Sequence, residues 1–187
     1  MAETAKTTKS KPQLYAGLDL SLTSPGFAII SVDQNSEGHR IPSLVEVSVI
    51  KTDTSETQPL RYEVIEAHAL LFFRKYTGLT AIIREVWPPS RNYAQNDKLH
   101  GAWSAVDRAL SRLGLAVTEN LTPSTVKKTV TGKGTAEKPE VAAAVSRILR
   151  LEDRKWAAGY DDSDACAVAL AYLIREKLIE GVSGIER

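Results

Sequence analysis

This 187-residue chain has one cysteine, three histidines and no long apolar run, and each scarcity removes a class of protein. With Cys166 alone no internal disulfide can form, so the chain is expected to work in a reducing, cytoplasmic compartment. The few histidines and the lone cysteine leave no Cys/His set for zinc. No apolar stretch approaches the roughly 20 residues of a membrane helix. The opening MAETAKTTKSKP is lysine-rich and has no apolar centre. Residues 1–12 are therefore expected to be a disordered polar tail rather than a secretory signal, with a basic arm on nucleic acid as the alternative use. Internal repeats are missing too, and TGKGTAEK spaces its glycines unlike a Walker A loop. The hydrophobic fraction of 43% suffices for one core, expected over 13–187 without disulfides or structural metal.

Charge of one sign is also missing in bulk, since the formal net is only +1. Its distribution says more. Between Asn120 and Tyr160 stand eight basic residues (Lys127, Lys128, Lys133, Lys138, Arg147, Arg150, Arg154, Lys155) against four acidic ones. A solvated helix face accounts for part of that excess; a phosphate-binding surface accounts better for the loop lysines.

Apolar periodicity gives the organisation. Leu14–Leu20, Phe27–Val32 and Leu44–Ile50 are short runs separated by turn residues, which predicts an antiparallel meander. The period then changes to helical, with Val64, Ala67, His68 and Leu71 on one face. A strand over Thr80–Trp87 follows. Leu99, Trp103, Val106, Leu110 and Leu113 predict a second helix stopped by Gly114, then a short strand over Leu115–Glu119. Thr122-Pro123 reads as a helix start. Val141, Val145, Ile148 and Leu149 form another stripe, and Ala165, Val168, Ala169, Tyr172 and Leu173 the last. The pattern predicts an α/β fold: a mixed five-stranded sheet, three antiparallel strands then two parallel ones, with helices on both faces.

Against that frame four carboxylates stand out. Asp19 interrupts LYAGLDL, Glu85 closes TAIIREVW, and Asp161 and Asp164 open DDSDACAVALAYL. Core elements that end in acid are costly unless something neutralises the charge. The first strand and the one after the first long helix should lie side by side, which would bring Asp19 and Glu85 together. Asp161 and Asp164, one turn apart, align with buried Ala165 and Val168 and so point at the sheet. A pair of divalent cations is the economical neutraliser.

Singly, each feature has a plainer use. DDSD can cap a helix, Glu85 can be an edge-strand charge, and the glycines of TGKGTAEK can make a turn. His68 reads as a packing residue and Trp103 as core. The plainer uses fail only jointly, because all four carboxylates must be explained at once.

GLDLSLTSPGFAII, REVW, TVKKTVTGKGTAEKPEV and DDSDACAVALA, in this order, resemble the RuvC-type Holliday-junction resolvases of the ribonuclease H-like superfamily, over Leu14 to about Glu176. The resemblance implies metal-binding roles for Asp19, Glu85, Asp161 and Asp164, and active-site roles for Lys138 and Lys127. It also implies two Mg2+ per site with Mn2+ as substitute, a homodimer, and four-way DNA junctions cut to leave 5′-phosphates. DNA contacts are expected from Lys127, Lys128, Lys133 and Lys138, and from Arg91, Tyr93 and Trp87 around the loop PPSRN. That loop departs from the cellular pattern, with Pro88 where an aromatic is usual, and Asp162 is an extra acid; both suggest a diverged or viral-type member. The helix over Lys98–Leu113 is the expected dimer interface. Other readings are a nuclease of the same fold acting on flaps, forks or RNA–DNA hybrids, a non-cleaving binder of branched DNA, and an actin-like nucleotide-binding fold. No residue pattern names a partner motor protein.

Overall fold

The computed structural model describes residues 11–88 and 93–181. The strands are β1 (Gln13–Asp19), β2 (Gly26–Gln34), β3 (Arg40–Val49), β4 (Leu79–Glu85) and β5 (Glu119–Leu121). The helices are α1 (Gln58–Phe73), α2 (Tyr93–Arg112), α3 (Pro123–Thr131), α4 (Lys138–Leu149) and α5 (Asp161–Arg175). The strands form one sheet in the order β3-β2-β1-β4-β5. β1, β2 and β3 pair antiparallel, while β4 joins β1 and β5 joins β4 in parallel, as the sequence pattern predicts.

β1 and β2 lie in the middle of the sheet with layers on both faces, which is why their apolar runs are nearly continuous. Ala16, Leu18, Phe27, Ile29 and Ile82 face a layer of α1 and α2. Tyr15, Ala28, Ile30, Ala81 and Ile83 face α5, with α3 and α4 beyond. Successive strand residues point to opposite faces. Asp19 therefore shares the face of Tyr15, and Glu85 that of Ala81 and Ile83. Both acids belong to the α5 side.

α5 is buried almost all round, from Ala165 to Ala171 and again at Leu173. A helix without a polar face must sit between two layers, and this one lies between the sheet and α3–α4. Its close seat depends on Gly17: a Cβ there would stand 2.1 Å from Ala165 O and 2.8 Å from Ala169 N. Cys166 is among the buried residues, its thiol pushed up to about 12 by burial, which makes it a packing residue.

Three sequence expectations change. In α1 the inward row is Ile65, Ala69, Phe72 and Phe73, whereas Val64 and Leu71 are 44% and 57% exposed. Apolar residues occupy most of that helix circumference, so periodicity offers two stripes; the aromatic pair packing on Phe27 decides between them. The last strand is Glu119–Leu121 rather than Leu115–Glu119. Leu115 and Val117 pack on the core, and the Thr118 side chain bonds both N and O of Ile82 at 3.0 Å before the ladder begins. Trp103 is only partly buried, with the Arg84 guanidinium 4.9 Å from its ring centre. His68 is the expected packing residue, stacked on Phe72 and 3.2 Å from Ser48 Oγ. Residues 1–10 of the expected polar tail lie outside the described residues.

Candidate active site

The site follows from strand register. Leu18 pairs with Arg84 in the parallel ladder, so the next residues, Asp19 and Glu85, emerge side by side. Across the antiparallel ladder Asp19 pairs with Gly26, where a Cβ would stand 2.2 Å from Asp161 O. A glycine is required there because the first turn of α5 rests directly on the strand. Oxygens of Asp19, Asp161 and Asp164 consequently lie within 4.8 Å of one another. Glu85 lines the same cleft, of about 150 Å³, with Asp19, Asp164, Trp87, Lys127 and Lys138.

Local structure aims the α5 pair. Tyr160 caps the helix in a left-handed conformation, φ 63°, and turns the chain sharply into Asp161. The preceding loop is tied down by Trp156, whose indole N–H donates to Ser146 Oγ at 2.8 Å. Asp162, the extra acid, is buried away from this cluster: its carboxylate accepts from the Ala157 N–H at 3.0 Å and the Ser163 N–H at 2.9 Å. It fixes the loop that enters α5.

The electrostatics are strained. Asp19 is pushed up to about 7, first by burial, then by repulsion from Asp164, against the pull of Lys138. Glu85 is pushed up to about 8 by burial and by the charges of Asp19 and Asp164, with Lys127 and Lys138 opposing. Asp164 is raised by burial against a hydrogen bond from Lys138. Burial draws the Lys138 ammonium down, but Asp164, Asp161 and Asp19 together hold it above the usual lysine range. Lys138 Nζ lies 2.8 Å from Asp164 Oδ2 and 3.5 Å from Asp161 Oδ1, and donates to Gly159 O at 2.8 Å. Like charges crowded at a half-buried site mark a place built for a cation or a reaction. Among the described residues no cysteine or histidine lines the cleft, and oxygen donors alone suit a hard divalent ion.

Two further predicted residues stand near that cleft. Lys127 reaches it from α3, a helix capped by Thr122 as expected. Trp87, 57% exposed, forms its rim. The others are more peripheral. Lys128 is exposed on α3, and Lys133 pairs with Glu140 at 3.3 Å. Tyr93, 82% exposed, starts α2. Arg91 falls outside the described residues. One contact had no sequence signal: the Ser24 hydroxyl donates to Asp161 Oδ2.

With this arrangement in place, comparison with known proteins is decisive. The family model described as crossover junction endodeoxyribonuclease RuvC matches residues 15–172. This chain belongs to the RuvC family. The RuvC of Gluconobacter oxydans is 36% identical over 158 residues, covering 83% of this chain and 87% of the relative. That of Ehrlichia canis is 31% identical over 156 residues, covering 83% and 93%. Among solved structures, Thermus thermophilus RuvC in complex with Holliday junction substrate is similar with a TM-score of 0.75 at 26% identity. It covers 89% of this chain and 96% of its own. The RuvC match spans every element that carries a cleft residue, from β1 to α5.

Proposed function

We propose that this protein is a metal-dependent, structure-selective endonuclease that resolves four-way DNA junctions by paired phosphodiester hydrolysis, leaving 5′-phosphate ends. The observation that carries the reading is the clustering of Asp19, Asp161 and Asp164 oxygens within 4.8 Å of one another, next to a cleft that Asp19 and Asp164 line together with Glu85, Lys127 and Lys138, in a chain of the RuvC family.

Asp19, Glu85, Asp161 and Asp164 would hold two Mg2+ ions, with Mn2+ as substitute, and Asp19 would be the shared ligand. When bound, such ions supply an activated water and neutralise charge at the leaving 3′-oxygen. The protein's own groups do the rest. The raised affinity of Asp19 and Glu85 for protons is the same electrostatic need that a divalent cation meets. Lys138, already at the carboxylates, offsets charge on the scissile phosphate, and Lys127 contacts a neighbouring one. Lys128 and Lys133 hold the strand on either side. Trp87 and Tyr93, both exposed, offer stacking surfaces to bases unpaired at the crossover. Arg91, between them in the chain and outside the described residues, is proposed as a phosphate contact. DNA as substrate puts the work inside the cell.

Paired nicks on a nearly two-fold junction call for a two-fold homodimer with one site per subunit. The expected interface is the α2 segment Lys98–Leu113; on α1, which packs beside α2, Leu60, Val64 and Leu71 add an exposed apolar row. Such a row in water is best explained by a partner.

The test is a substrate panel: four-way junction, flap, fork and RNA–DNA hybrid, each with Mg2+ and with EDTA. Metal-dependent cleavage of the four-way junction in strong preference to the others is the expected result. Cleavage confined to hybrids or flaps, or none at all with tight junction binding, would replace the reading.

A further inference from the structure

The turn between β1 and β2, residues 20–25, is clamped far more firmly than a surface turn requires. Thr52 N donates to Thr23 O at 3.0 Å, and Thr52 Oγ1 donates to Leu22 O at 2.6 Å. Arg61, reaching in from α1, donates through Nε to Thr52 Oγ1 at 2.9 Å. Its Nη2 donates to Leu22 O at 3.3 Å and Thr23 Oγ1 at 3.2 Å. Thr52 and Arg61 are 6% and 8% exposed. Among the described residues Arg61 has no carboxylate within ion-pair distance. A buried guanidinium whose hydrogen bonds go only to neutral acceptors is costly to keep; two of these bonds reach the turn itself and the third reaches Thr52, which also holds it.

What the turn presents is Ser24. Its N–H donates to Ser21 Oγ at 3.0 Å, and its hydroxyl donates to Asp161 Oδ2. The other oxygen of Asp161, Oδ1, is left 3.5 Å from Lys138 Nζ, on the side of Asp164. Gly26, two residues on, lets Asp161 approach so closely.

We propose that Ser24 is a positioning residue for the candidate metal centre: its hydroxyl fixes the Asp161 carboxylate so that Oδ1 faces the cluster, and the Thr52–Arg61 clamp fixes Ser24. The inference rests on the metal-binding reading of Asp161. A carboxylate free to rotate must lose that freedom when it takes a cation; one held by a hydroxyl has lost it beforehand. Supporting hydrogen bonds of this kind change metal affinity by about 10–100-fold.

The test is Mn2+ binding to the DNA-free protein, by calorimetry or by electron paramagnetic resonance, for wild type, Ser24→Ala, Ser24→Thr and Asp161→Asn. Ser24→Ala should weaken Mn2+ binding by ~10-fold, with an unchanged melting temperature in EDTA and unchanged metal-free junction binding. Ser24→Thr, which keeps the hydroxyl, should bind Mn2+ close to wild type. Wild-type affinity in Ser24→Ala beside a clear loss in Asp161→Asn would overturn the role of Ser24 and leave the metal site standing. Equal losses in Ser24→Ala and Ser24→Thr would assign the effect to packing and also overturn it. Unchanged Mn2+ binding in Asp161→Asn would overturn both this role and the reading beneath it.

Discussion

Lys138 Nζ and Asp164 Oδ2 are 2.8 Å apart, an ion pair joining the first residue of α4 to the first turn of α5. The ammonium is thereby held within the carboxylate cluster, where a phosphate would arrive. Lys138→Ala should cut single-turnover cleavage by ~10²-fold, the usual cost of removing one preorganised charge donor. Junction affinity should change little. A loss of affinity as large as the loss of rate would make Lys138 a binding residue only.

Lys133 differs, because Glu140 already engages it at 3.3 Å outside the cleft. Lys133→Ala should weaken junction binding without slowing the bound complex. If Lys133 contacts a phosphate, the slope of log affinity against log salt falls by about one. Identical slopes for variant and wild type would exclude that contact.

The raised Asp19 and Glu85 give a pH dependence with a definite sign. In the folded protein they hold protons that the unfolded chain has released, between the ordinary carboxylate range and about 7 for Asp19 or about 8 for Glu85. Stability in EDTA should therefore fall as pH rises through that window and level off above it. Thermal melting from pH 5 to 9 reads this directly. Asp19→Asn should flatten the dependence, and saturating Mg2+ or Mn2+ should offset it. A wild-type melting temperature that rises across the window by more than that of Asp19→Asn would contradict the electrostatics.

Asp19 and Glu85 were legible because an acid closing an apolar strand is rare, and period two fixes the face of each. The order of strands followed from the change of apolar period after Ile50. The inward face of α1 was not legible, since Val64 and Leu71 compete with Ile65, Ala69 and Phe72 on a helix that is apolar nearly all round. The position of β5 depended on Thr118 bonding Ile82, a contact between residues far apart in the chain. Asp162 was set apart from Asp161 and Asp164 because only those two share a helical face with buried Ala165 and Val168; what the sequence did not show is the bonding of Asp162 to the Ala157 and Ser163 N–H groups. A serine in a turn is ordinary, and the role of Ser24 depends on the close approach of Asp161 to Gly26.

Gly17 sets how close α5 comes to the sheet, and so how far Asp161 and Asp164 stand from Asp19. In Gly17→Ala the new methyl would overlap the backbone of Ala165 and Ala169, which cannot move without carrying the aspartates along. A destabilisation of ~3 kcal/mol is expected from such overpacking, with weaker Mn2+ binding in the fraction that folds. Wild-type stability and metal affinity together would show that the seam tolerates a side chain.

Trp87 and Tyr93 test junction selectivity. Tyr93→Ala should impair cleavage of a four-way junction more than nicking of a simple flap, because only the former needs a base stacked outside the duplex. The carboxylates are untouched by the change. Equal losses on both substrates would reduce Tyr93 to a general DNA contact. Weak dependence on the sequence at the crossover is expected, and a single preferred tetranucleotide across mobile junctions would show that the loop reads bases.

The most direct test of the whole account is to map the nicks made on a four-way junction in Mg2+ by the wild type and by Asp19→Asn. The wild type should cut two opposing strands at symmetric positions and leave ends that a ligase can seal. Asp19→Asn should bind the same junction at least as tightly and cut it ~10²-fold or more slowly, since a ligand serves the transition state rather than docking. Cleavage by Asp19→Asn at the wild-type rate would contradict the account at its centre.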